Sequence, residues 1–155
     1  MSEYADHQSQ TELIGLSKKY QGAARGRLTS YVKKNPECIL IFDEIEKAHR
    51  NVIHLFLQIL DAGVLQDEYE EKDVSFENST IIFTTNVGKS LYEDGRGKNL
   101  SLLPSAVILD ALEKELHPLG GWQLFPSSIC SRLMSGNVIM FNYLSCHHQI
   151  GRAHV

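Results

Sequence analysis

No stretch of the 155 residues carries the pattern G-x-x-x-x-G-K-[ST], whose backbone N–H groups and lysine cradle nucleotide phosphates, so the chain has no such cradle of its own. No apolar run approaches the ~18 residues that cross a bilayer, and the first residues, with Glu3 and Asp6, lack the charged-then-apolar order of a secretory signal. No membrane partner is therefore expected. Cysteine is scarce: Cys38, Cys130 and Cys146 are an odd three without paired spacing, which excludes a disulfide framework and fits a reducing compartment, the cytoplasm by default. Basic excess is missing too, since the formal net charge is -4, and a duplex-binding domain needs a basic patch to offset phosphates, so no nucleic acid partner is expected. Lys18, Lys19, Arg25 and Arg27 do cluster near the amino end, either as solvated loop charges or as a functional group. Cys146, His147 and His148 are adjacent in the chain and cannot all face one ion, and no second cluster at zinc spacing accompanies them.

The chain is rich instead in short apolar runs that end sharply. Residues Cys38 to His49 read CILIFDEIEKAH: five residues of strand character stop at the acidic pair Asp43-Glu44. The unbroken apolar run predicts a strand buried on both faces. Ligands of open parallel sheets sit beyond the strand carboxyl ends, which is where this pair falls. The same acids could also do no more than cap the helix that starts nearby.

The remaining pattern alternates helix and strand. Residues 1 to 25 are polar and punctuated by glycine, predicting loop with at most a short helix. A short amphipathic helix is predicted over Arg27 to Lys34, ending before Pro36. From His49 to Leu60, Val52, Leu55, Phe56, Ile59 and Leu60 recur at three- and four-residue spacing, which predicts a helix ended by Gly63. Val64 to Phe76 reads as a hairpin or long loop, and Thr80 to Thr85, β-branched and aromatic, as a second strand. Val87 to Leu103 reads as loop. Pro104 and Ser105 open a helix striped by Ile108, Ala111, Leu112 and Leu116 and closed before Pro118. A short helix near Ser127 to Met134 and a strand at Val138 to Phe141 complete an α/β pattern.

Several motifs in one order resemble the Clp-type AAA+ unfoldases, the ClpA, ClpB and ClpC group. MSEY (Met1 to Tyr4) and LIG (Leu13 to Gly15) match the family's stretch before its first pore loop. CILIFDEIEKAH resembles its Walker B region, LDAGVLQD (Leu60 to Asp67) its hairpin segment, and VSFENSTIIFTTN (Val74 to Asn86) its following strand. The resemblance implies a partial P-loop (AAA+) parallel sheet with flanking helices, its first strand and P-loop missing, over residues 1–145 as part of the large subdomain. Residues 146–155 are then a tail, non-native or disordered; their last six, IGRAHV, match one reading frame of a widely used sequencing adapter.

The family's roles fall on individual positions. Asp43 would hold magnesium through water, Glu44 would polarise the attacking water, and Asn86 would orient that water as the first sensor, although an asparagine after a strand is also an ordinary turn residue. Tyr20, within SKKYQGAARG, falls at the pore-loop aromatic that grips an extended polypeptide, or is a surface tyrosine. Arg132, within FPSSICSRLMSGNVIMF, resembles the arginine finger that reaches a neighbouring subunit's nucleotide, or is a structural salt-bridge arginine. The implied function is an ATP-dependent unfoldase, chaperone or protease-regulatory ATPase. Its cofactors are ATP and magnesium, and its partners are protein substrates, further copies in a homo-oligomeric ring, and a peptidase. The isolated chain, lacking the P-loop, is expected to be inactive. The alternative is a truncated, non-catalytic interaction module that binds a partner without nucleotide. A metal hydrolase built on Asp43, Glu44 and Glu46 lacks histidines at ligand spacing.

Overall fold

The computed structural model describes residues 8–94, 99–116 and 121–142. In chain order the elements are α1 (Ser9–Ile14), β1 (Gly15–Leu16), β2 (Ala24–Arg25), α2 (Arg27–Lys34), β3 (Ile39–Phe42), α3 (Arg50–Ala62), β4 (Val64–Asp67), β5 (Lys72–Ser75), β6 (Thr80–Phe83), α4 (Lys89–Asp94), α5 (Ser105–Glu113) and α6 (Ser127–Leu133), with single 3-10 turns at Ile45–Lys47 and Leu100–Leu102. They form two compact units. One holds the described residues as far as Val87, with Leu116, Gly121 and Trp122; the other holds those of Gly88–Glu115 and from Gln123 onward. No helix among the described residues is long and apolar enough to cross a membrane.

In the first unit β3 and β6 pair in parallel, Ile39 opposite Thr80 and Phe42 opposite Phe83. The chain between them supplies α3, whose Val52, Ile53, Leu55, Phe56 and Ile59 are buried. Phe56 is 2% exposed, and its ring lies 4.5 Å from that of Phe42 and 5.2 Å from that of Phe83, so one helix stripe closes over one face of the strand pair. The helix starts at His49, whose Nδ1 accepts from the Asn51 N–H, and stops at Gly63, which turns left-handed at φ 65° and donates its N–H to the Ile59 carbonyl.

The opposite face of the pair departs from the sequence expectation. Leu40 and Phe42 are buried, but Ile39 and Ile41 are 66% and 64% exposed, and Ile82 beside them is exposed as well. An unbroken apolar run marks a strand that can be covered twice; the described residues of this unit cover it once.

The other strands are antiparallel: β4 with β5 as a hairpin, and β1 with β2 as a minimal pair. Buried Asp67 ties the hairpin to α2, accepting from the Thr29 hydroxyl and, at 2.8 Å, from the Glu70 N–H. Gly26 sits where α2 begins against the end of α1: a Cβ there would lie 2.4 Å from the Ile14 carbonyl carbon.

In the second unit α5 packs on α6, with Ile108, Leu109 and Leu112 buried alongside Ile129 and Cys130. Burial pushes the Cys130 thiol above its ordinary pKa, as an unreactive core cysteine requires. Three expectations are corrected here. The stretch read as loop contains α4. Helix α5 ends at Glu113, so Leu116 lies beyond it and is exposed. Val138 to Phe141 forms no ladder, because a strand needs a neighbour to pair with and none among the described residues borders it; its end is held by side chains instead, Asn142 Oδ1 accepting from Leu100 N–H at 2.6 Å and Tyr92 donating to the Phe141 carbonyl at 3.1 Å. The MSEY stretch, Pro118 and the tail with Cys146, His147 and His148 lie outside the described residues.

Candidate functional site

Parallel pairing has one geometric consequence: both strands end on the same side. The residues after β3, Asp43 to Glu46, therefore meet those after β6, Thr84 to Asn86. The backbone ladder runs on past the strands, with Thr84 N–H donating to the Phe42 carbonyl at 3.0 Å and Ile45 N–H to the Thr84 carbonyl at 3.0 Å. The Thr84 hydroxyl joins both acids, donating to Asp43 Oδ1 and accepting from the Glu44 N–H at 3.1 Å.

Glu44 occupies the left-handed region, φ 55° and ψ 55°, one of two non-glycine residues with positive φ among those described. That conformation costs a non-glycine residue roughly 1–2 kcal/mol. It turns the chain sharply from strand into the 3-10 turn Ile45–Lys47. The Glu44 carboxylate then has two neighbours, Lys47 Nζ at 2.7 Å from Oε2 and Asn86 Nδ2 at 3.4 Å from Oε1. The ion pair with Glu44 raises the Lys47 pKa.

Glu46 points inward and is 7% exposed. Its Oε2 accepts from the Thr85 hydroxyl at 2.9 Å, and its Oε1 from both Asn86 donors, the backbone N–H at 3.3 Å and Nδ2 at 3.2 Å. Among the described residues no three His, Cys, Asp or Glu side chains converge as ligands of one ion, so Asp43, Glu44 and Glu46 do not form a joint metal cage. Thr84 and Thr85 carried no site role in the sequence reading, and Glu46 only that of a ligand in the hydrolase alternative. The available signal was the run of hydroxyl and amide side chains, Thr84 to Asn86, that closes an otherwise apolar strand.

Tyr20 is 64% exposed on the loop between β1 and β2. Two turns shape that loop: the Tyr20 N–H donates to the Ser17 carbonyl at 3.0 Å and its carbonyl accepts from Ala23 N–H at 3.2 Å. The tip of the β4–β5 hairpin holds the loop. Glu71 accepts from Ser17 Oγ at 2.9 Å and Lys19 Nζ at 2.7 Å, Glu70 pairs with Lys33 and with Arg25, and Lys18 lies 4.7 Å over the Tyr69 ring. Lys33 chiefly holds the Glu70 carboxyl below its ordinary pKa, and Lys19 that of Glu71. The amino-terminal basic cluster is thus partly neutralised by the hairpin. The structure brings Asp43, Glu44 and Asn86 together; Arg132 belongs to the second unit, where its Nη1 donates to the Ser128 carbonyl one turn earlier in α6.

Residues 1–119 match the AAA domain family (Cdc48 subfamily). The chaperone protein ClpB of Clostridium perfringens (strain 13 / Type A) is 45% identical over 102 residues, covering 64% of this chain and 12% of that protein. ClpE of Lactococcus lactis subsp. lactis (strain IL1403), an ATP-binding subunit of the ATP-dependent Clp protease, is 45% identical over 98 residues, covering 63% of this chain and 13% of its own. Among solved structures, the closed state of Hsp104 with ATPyS and FITC casein superposes with a TM-score of 0.68 at 25% identity, over 86% of this chain and 21% of that one. The chain spans about an eighth of the length of the curated relatives it matches.

Proposed function

The chain belongs to the AAA domain family (Cdc48 subfamily), in its Clp-type branch, and from that premise we propose that it forms part of the ATP-hydrolysing module of a ring-forming protein unfoldase. The observation that carries the reading is the meeting of Asp43, Glu44 and Asn86 at the carboxyl end of a parallel strand pair.

Bound ATP and magnesium supply the phosphoryl group and the ion that offsets its charge. Asp43 presents hard carboxylate oxygens, one anchored by Thr84, which suits an ion that keeps most of its water and meets few carboxylates. Glu44 takes the proton of the attacking water, and Asn86 fixes the Glu44 carboxylate and that water through its amide. Arg132 acts on the nucleotide of a neighbouring copy, where a planar guanidinium meets transferring phosphate charge. Tyr20 supplies an amphipathic ring on an exposed loop for sequence-tolerant contact with an extended polypeptide. The Hsp104 relative was solved with casein, and the ClpE relative is named as a protease subunit, which supports a protein substrate and a peptidase partner. A cytoplasmic setting accords with this reading.

The 155 residues alone are expected not to bind ATP appreciably, because they contain no phosphate cradle and unscreened carboxylates repel a polyanion. Isothermal calorimetry checks this, and micromolar affinity would show that another group cradles the phosphates. That result would also count against the alternative, a module that binds a partner without nucleotide. In an intact Clp-type ATPase carrying these residues, Tyr20→Ala is expected to slow translocation of an unfolded protein by at least about tenfold, the loss of roughly 1.4 kcal/mol of contact. Equal translocation rates with and without the ring would remove Tyr20 from the pore.

A further inference from the structure

We propose that Glu46 is a positioning residue that sets which end of the Asn86 amide faces Glu44. The inference rests on the reading of Glu44 as the acid that activates water.

Glu46 is buried, and its two oxygens meet three donors: the Thr85 hydroxyl, the Asn86 backbone N–H and Asn86 Nδ2. A carboxylate only accepts, whereas an asparagine side chain has one donating and one accepting end. Thr85 and the Asn86 N–H fix Glu46 in place, so the Asn86 side chain must turn its Nδ2 toward it. Turned the other way, Oδ1 would stand against a buried carboxylate oxygen, with the repulsion of two acceptors at low dielectric. The same Nδ2 lies 3.4 Å from Glu44 Oε1. Glu46 therefore presents a donor to Glu44 through Asn86, whose Nδ2 reaches both carboxylates.

Glu46→Gln keeps the shape but has one accepting end: turned with its oxygen toward the Asn86 N–H it holds Nδ2 without the carboxylate's charge, and turned the other way it sets its own N–H against that backbone donor, so the hold on the Asn86 amide weakens either way. In the 155-residue chain, nuclear magnetic resonance reads the effect directly: the Glu44 side-chain carboxyl signal is expected to move in Glu46→Gln, although the two residues share no bond. In an intact Clp-type ATPase carrying these residues, the same substitution is expected to lower kcat about tenfold, the equivalent of about 1.4 kcal/mol, with KM for ATP changed less than twofold. Unchanged kcat, or an unmoved Glu44 signal, would overturn the proposal, and so would a loss confined to KM. Should Glu46→Gln fail to fold, Thr85→Val removes one of the donors that hold Glu46. It is expected to lower kcat about threefold at constant KM, and parental kcat in that variant would overturn the proposal equally. Glu44→Gln separates the two ideas. If it remains active, the reading of Glu44 fails; if it is inactive while Glu46→Gln turns over normally, only the role of Glu46 fails.

Discussion

Glu44→Gln, in an intact Clp-type ATPase carrying these residues, is expected to reduce ATP turnover by at least about 10²-fold while nucleotide still binds. The amide preserves size and keeps an oxygen for Asn86 Nδ2, now 3.4 Å from Oε1, but it has no basic lone pair of comparable strength to take a proton from water. It also loses the ion pair with Lys47, which sits half exposed at 2.7 Å and contributes little to folding in that setting. The loss should therefore fall on chemistry and leave the melting temperature nearly unchanged. Steady-state turnover with a nucleotide-binding measurement on the same preparation checks both halves. A variant with near-parental turnover would make Glu44 a structural acid.

Phe56→Ala is expected to remove about 3–5 kcal/mol of stability, the usual result of truncating a buried aromatic and leaving a cavity. Small domains have only about 5–15 kcal/mol in all, so much of the first unit's margin depends on this ring. Phe56 is the point where α3 meets both parallel strands, through Phe42 and Phe83 together, and those rings also stack on one another at 5.6 Å. Because the strand ends carry Asp43 to Glu46 and Thr84 to Asn86, loosening the three rings should blur the site as well. Urea unfolding gives the number, and a shift below about 1 kcal/mol would mean the cavity collapses around the shorter side chain.

What could be read from the chain beforehand depended on how local the cause was. Helix α2 ends where Pro36 says it must, and α3 has its stripe and its terminal Gly63 written in consecutive turns. The strand at Ile39 to Phe42 was legible as a strand, but its exposed face was not, because hydrophobicity records what a side chain prefers and not whether a second layer is present. Val138 to Phe141 has the same apolar character and pairs with no strand among the described residues, since a ladder is a property of two segments. Asp43 and Glu44 stood out because they end the apolar run. Glu46 did not, for its partners Thr85 and Asn86 lie about forty residues away and arrive only through the parallel register. The hold of Glu70 and Glu71 on the Tyr20 loop was hidden for the same reason.

The left-handed turn at Glu44 places this position at odds with any search for sturdier variants. A glycine or asparagine adopts that backbone with less strain, so a redesign scored on folding alone would replace the acid first and count the change as an improvement. With the role proposed for Glu44, stability and chemistry pull in opposite directions at this one residue, and a screen that rewards only heat resistance would enrich chains that are firmer and silent.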